Sequence, residues 1–204
     1  NGKERRGKTR AAIADVHVQW DPMSLAISQI KDDGMTDAMN QDLAEQSETV
    51  LDAARVLVSH VTGEYSIPGS ILQSDALRID IAGRQRMLSQ RMSKDFCLAM
   101  SGVNAEQSRA SLAKTATVFK ASHRALQVGS PALGMQAPED PETISMLERV
   151  DAEWAALQPY IERALAAEKL SHEDRAKVFD LFNRLLADTN SAVGLFAEAS
   201  KANS

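Results

Sequence analysis

Asp80-Ile81-Ala82-Gly83-Arg84-Gln85-Arg86-Met87-Leu88-Ser89-Gln90-Arg91-Met92-Ser93-Lys94 carries three arginines, two glutamines and a lysine, with isoleucine, leucine and methionine between them at helical spacing. At about 100° per residue, Leu77, Ile81, Leu88, Met92 and Phe96 gather on one side of this helix. Gly83, Arg86, Met87, Gln90 and Lys94 gather on the other. The first side reads as core. The second is neither core nor an ordinary charged surface. Gly83 admits close approach of another backbone, one turn before a guanidinium and two turns before an amide. A glycine in mid-helix costs about 1 kcal/mol against alanine, so a compensating role is expected there. Two such helices meeting across a dimer would bring like charges together, and a small planar anion between them would relieve the repulsion through charge-assisted hydrogen bonds. A polar dimer seam or plain surface helix is the competing reading of the same face.

Around this stretch the composition is that of a helical protein. Hydrophobic residues make up 44% and charged residues 25% of 204 positions, and aromatics only 4%, while Ala, Leu, Met, Gln and Glu are plentiful. A net charge of −5 argues against nucleic acid, which demands a clustered positive excess. The one dense basic run, Lys3 to Arg10, lacks aromatics and reads as a solvated connector. No apolar stretch approaches the ~18 residues of a membrane span, and no signal peptide is visible. The lone Cys97, between Phe96 and Leu98, excludes an internal disulfide and is expected to be a small buried apolar residue.

Working outward, the periodicity predicts six helices. Ile13, Val16, Trp20, Met23, Ile27 and Ile30 follow alternating steps of three and four, ended by Asp32-Asp33-Gly34. A second helix starts near Asp37, turns Leu43, Val50, Leu51, Ala54, Leu57, Val58 and Val61 inward, and runs toward Tyr65. Ile67-Pro68-Gly69 is the strongest break. The motif helix spans about 74 to 100. Asn104 is the expected cap of a fourth helix with Leu112, Thr115, Phe119, Ser122 and Leu126 inward. After a Pro- and Gly-rich connection, Pro141 opens a fifth helix carrying Ile144, Leu147, Val150, Trp154, Leu157 and Ile161. Ser171 caps a sixth, with Val178, Leu181, Leu185, Leu186, Val193 and Phe196. No segment alternates like a strand, so the expected class is all-α.

The first and last helical pairs repeat each other. Ile13, Val16, Trp20, Met23 and Ile27 match Leu147, Val150, Trp154, Leu157 and Ile161 at a constant offset of 134. After a one-residue shift, Val50, Leu51, Val58 and Val61 match Leu185, Leu186, Val193 and Phe196. Gly2 and Gly7 share the spacing of Gly129 and Gly134. The expected organisation is therefore a helical pair over 1–68, resembling the second half of a module, followed over 69–204 by a complete antiparallel up-down four-helix bundle opened by the motif helix. A first half is expected to precede Asn1, or to be supplied by another copy.

The run Ile81 to Met92 closely resembles the signature of the type IV pili methyl-accepting chemotaxis transducer N-terminal (PilJ-type) domain, and its Gly-x-x-Arg-Met core, Gly83 to Met87, resembles the first-helix motif of periplasmic nitrate/nitrite sensor domains. The resemblance is strong over about 75–200 and extends to 11–66 as a half-module. It implies a four-helix sensing module outside the cytoplasmic membrane, often dimeric, with a nitrate-class anion held between the first helices of two subunits. Gly83 and Arg86 match the motif's ligand-contacting positions. Gln90 joins them by the helical wheel alone, and Arg84 and Arg91 match basic positions of open role. The same resemblance and face imply a homodimer through Gly83, Met87, Gln90 and Lys94.

No cofactor, metal or catalytic role is expected. His17, His60, His123 and His172 lack paired ligand spacing, and no inward Glu-x-x-His elements suggest a di-metal bundle. Trp20 and Trp154 read as core plugs. No nucleophile–base pair or phosphate loop appears, so an enzyme is not expected. Two functions remain: an extracytoplasmic sensor of a small oxyanion, nitrate or nitrite, in chemotaxis or signal transduction; or a non-enzymatic helical interaction module with no small ligand.

Overall fold

A computed structural model of the chain describes residues 6–65 and 73–202. The breaker Ile67-Pro68-Gly69, Gly2 and the start of the basic run lie outside them. All the extended regular structure is helical: α1 (Gly7–Asp33), α2 (Asp37–Tyr65), α3 (Gln73–Ser101), α4 (Ala105–Val128), α5 (Pro141–Leu165) and α6 (His172–Ala202). The chain divides into two compact units, Asn1–Pro68 and Gly69–Ser204.

In the second unit the short connections after α3 and α5 and the longer strap after α4 reverse the chain each time, giving an up-down bundle. The pairs α3–α4, α4–α5, α5–α6 and α6–α3 pack side by side, so α6 closes the ring against α3. Apolar stripes at helical spacing fill the middle. Leu88, Met92 and Phe96 from α3 meet Leu112 and Phe119 from α4, Val150, Trp154, Leu157 and Ile161 from α5, and Val178, Leu181, Phe182 and Leu185 from α6. Ala82, Leu126, Leu147, Ala192 and Phe196 form a second layer toward the start of α3. Phe119 lies against Trp154 with ring centroids 5.1 Å apart.

Local chemistry sets the helix ends. Asp140 adopts an extended conformation and its carboxylate accepts from the Thr143 backbone N–H and hydroxyl, both at 2.8 Å, with Pro141 in the first turn. Those bonds hold the Asp140 carboxyl below its usual pKa. Ser171 likewise accepts from the Asp174 N–H at 3.0 Å. Asn104 precedes α4 as expected, but its backbone is left-handed, at φ 46°, and its side chain makes no capping bond. In the tight turn from α3 to α4 that residue serves by tolerating the left-handed region, as asparagine does.

Gly129 closes α4 at φ 76°, ψ 177°, a combination open essentially to glycine alone. A Cβ there would lie 2.7 Å from both the Ala137 nitrogen and the Met135 carbonyl oxygen. The following strap folds back on itself through paired Ser130 and Met135 backbones.

The first unit is an antiparallel hairpin of α1 and α2, joined by the three residues 34–36. Its inner line is sparse: among the described residues only Thr9, Ala12 and Ala53 are fully buried. Thr9 donates to Glu64 at 2.5 Å across the open end, where Arg6 also donates to the Glu64 carbonyl. The basic run thus continues into helix from Gly7 rather than staying a connector.

Two expectations are corrected. Trp20 is 44% exposed while Trp154 is 7% exposed, because Trp154 lies inside a four-helix unit with Phe119 of α4 against it, whereas the unit holding Trp20 offers it only one other described helix. Cys97 is exposed rather than buried. It falls on the flank of α3 beside its inward-facing neighbour Phe96, and crowding by adjacent side chains still pushes its thiol pKa up.

Candidate functional site

The motif helix is one unbroken helix whose inward line is Ala82, Gln85, Leu88, Ser89, Met92, Asp95, Phe96 and Ala99. Gln85, inside the motif, is 1% exposed. Its amide donates to the Ser122 hydroxyl at 2.5 Å and approaches the Phe119 carbonyl at 3.5 Å. It therefore ties α3 to α4 rather than facing a ligand.

The opposite face forms one wall of a shallow open groove. Gly83, Arg86, Met87 and Gln90 line it from α3, and Asn183, Leu186, Ala187 and Asn190 line it from α6. Arg86 is exposed, and its guanidinium donates to the Asn190 side-chain oxygen at 2.8 Å. No carboxylate pairs with Arg86 among the described residues, and it is the one charge among those eight lining residues. The groove thus carries a single positive charge, held by a neutral acceptor. A Cβ added at Gly83 would meet nothing within 4 Å, so the bundle's own packing does not require a glycine there.

The remaining motif cations are engaged elsewhere. Arg84 pairs with Asp80 at 2.9 Å on an exposed face. Arg91 and Lys94 both approach Asp95, each at 3.8 Å. Asp95, 3% exposed, also accepts from Ser111 of α4 at 2.6 Å. The structure brings Gly83, Arg86, Met87 and Gln90 together; Lys94 is one turn on and ion-paired, and Arg84 and Arg91 lie outside the groove lining. The α6 wall, Asn190 above all, is not evident from the motif. The seven-residue spacing of Asn183 and Asn190 is its only trace in the sequence.

Two other concavities suit an anion less well. A groove at the end of the bundle sets Arg78, already bonded to Asp75 and the Gln136 carbonyl, among Glu139, Asp140, Glu142 and Glu198. Its acidic rim repels a negative guest. The other, along Phe96, Cys97, Met100, Val178, Phe179 and Phe182, is chiefly apolar. No group of three His, Cys, Asp or Glu among the described residues could hold a metal ion, and no described helix is long and apolar enough to cross a membrane.

The second unit is thus a four-helix bundle with an outward groove on its first helix, and its family makes it a sensory helical domain. The chain belongs to the family described as type IV pili methyl-accepting chemotaxis transducer N-term (PilJ), whose model matches residues 70–179. Among solved structures it is similar to the ligand-binding domain of the P. aeruginosa nitrate receptor McpN, at 21% identity and TM-score 0.51, covering 66% of this chain and 98% of that one. That likeness carries the fold. No curated protein sequence matches the chain.

Proposed function

We propose that the second unit is a non-enzymatic, extracytoplasmic sensor module that binds a small oxyanion of the nitrate or nitrite class at the α3–α6 groove, feeding chemotaxis or another signalling output. The observation that carries this reading is Arg86: an exposed guanidinium without a carboxylate, the one charge in its groove, beside an unexplained helical glycine. A lone groove of this depth gives an anion one charged contact. A second copy meeting it across Gly83, Met87 and Gln90 would supply the second guanidinium and exclude water, where charge-assisted bonds gain strength. Gln90 would add an amide donor. An anion would compete with Asn190 for Arg86, so its arrival would loosen α3 from α6 at that point and couple binding to helix movement. The nitrate receptor domain named above and the family description support the same reading.

Calorimetric titration with nitrate, nitrite and a panel of other oxyanions tests it. Binding by the native chain, reduced at least tenfold by Arg86→Ala, is expected; absence of heat across the panel would sink the proposal. The second reading is a ligand-free interaction face. Met87 and Leu186 favour it, giving the groove an apolar strip suited to side-chain packing. Anion-independent dimerisation through this face, with no measurable nitrate affinity, would select it.

A further inference from the structure

At the end of the bundle away from the strap, the turn from α3 to α4 lies beside the turn from α5 to α6, as an up-down order requires. A recess of 260 Å³ opens between them. Its apolar lining is Met100 with the buried Ala99 and Leu170. Three cations line it as well: Arg109 near the start of α4, Lys169 in the α5–α6 turn and Arg175 in the first turn of α6. None of the three is ion-paired among the described residues. The one acid in the lining, Glu168, is already engaged by Arg163 at 3.1 Å, and Arg163 also reaches Asp174 at 3.4 Å. Elsewhere on the bundle Arg78, Arg84, Arg149 and Arg184 each meet a carboxylate. In a chain of net charge −5 acids are not scarce, so three unanswered cations around one recess ask for a counter-charge from outside.

We propose that this recess is a second anion site, for a compact oxyanion with two or more negative charges, such as phosphate or a small phosphate monoester. A concavity lined by one sign of charge concentrates the opposite sign within it. Guanidinium groups match phosphate oxygens with paired hydrogen bonds, and Lys169 adds a point charge on a flexible stem. Helices α4 and α6 both begin at this end, so their positive dipole ends add to the field. Glu106, Glu173 and Asp174 in those first turns offset part of it, but none of them lines the recess. Charge separates this site from the α3–α6 groove, where one guanidinium among amides suits a singly charged ion. The apolar lining beside the cations leaves a place for the organic part of an ester. A recess of this size encloses a small molecule, whereas a membrane or a protein partner would need a broad, flat patch. The site does not depend on the anion reading of the groove.

Calorimetric titration of the whole chain with inorganic phosphate, and separately with glycerol 3-phosphate, tests the proposal. One site per chain is expected, weakening as salt is raised. Arg109→Gln, Lys169→Gln and Arg175→Gln change side chains that no described carboxylate holds, so the bundle should keep its fold, checked by circular dichroism. Each should weaken phosphate binding about tenfold, the worth of a charge-assisted hydrogen bond, and leave nitrate binding unchanged. Arg86→Ala should do the reverse. Phosphate should also raise the melting temperature of the native chain, and not that of a variant carrying both Arg109→Gln and Arg175→Gln. No heat and no melting shift with either phosphate probe would overturn the proposal, whatever nitrate does. So would phosphate binding that survives all three Gln substitutions, or binding to vesicles containing phosphatidic acid without binding of either free probe.

Discussion

Two side chains show how far single positions govern this molecule. Gly83 lies in mid-helix with open space where a Cβ would project. Gly83→Ala should raise thermal stability of the isolated bundle by about 1 kcal/mol, the helix-propensity difference, while weakening nitrate binding if a second backbone must come close. Melting curves and calorimetry on the same variant separate the two effects. His123 is 3% exposed and stacks on Phe119. Burial holds its pKa below 6.5, against the opposing pull of Asp151 at 3.8 Å. The unfolded chain therefore takes up a proton more readily, and stability present above pH 6.5 drains away as pH falls below it. Urea midpoints measured from pH 7.5 to 5 should drop for the native chain, and the drop should be smaller in His123→Gln. The face shared by Gly83, Arg86, Met87 and Gln90 was legible from helical period alone. Asn190, 104 residues from Arg86, was not, because its place depends on which helix closes the ring. Cys97 was misread for the same reason: whether a flank position is covered depends on a neighbour that local sequence does not name.

At the scale of elements, period and caps carried most of the reading. The expected bounds of α2, the proline start of α5 and the Ser171 cap all match the structure, since each rests on chemistry within one turn. Buried polar side chains escaped it. Gln85 and Asp95 sit inside on bonds to Ser122, which the α4 stripe already placed inward, and to Ser111, but a hydropathy pattern ranks Gln85 and Asp95 themselves as surface. The connection after α4 is the most demanding element. Gly129→Ala would combine a glycine-only backbone conformation with 2.7 Å backbone clashes, and a loss of at least about 1–3 kcal/mol is expected. Chemical denaturation checks this, and an unchanged midpoint would show that the strap can shift as a body.

Over the whole molecule the contrast is between a unit with a filled interior and one without. Unfolding of the single chain at low concentration should not be two-state. The two tryptophans report on separate units: Trp154→Phe leaves Trp20 to follow the hairpin, and Trp20→Phe leaves Trp154 to follow the bundle. Fluorescence in the first variant should change at a lower temperature than in the second, and coincident melts would show that the units stabilise each other. The match between the two helical pairs was visible in the sequence. That Trp20 and Trp154 would differ in exposure was not, because the repeat matches residues without supplying their neighbours. The bare α-carbon at Gly129 has one further consequence. Because no side chain intervenes there, the strap folds tightly enough over the end of α4 for its Gln136 carbonyl to accept from Arg78 of α3 at 2.9 Å, so one missing methyl group lets a loop staple the rim of the bundle to the root of the motif helix.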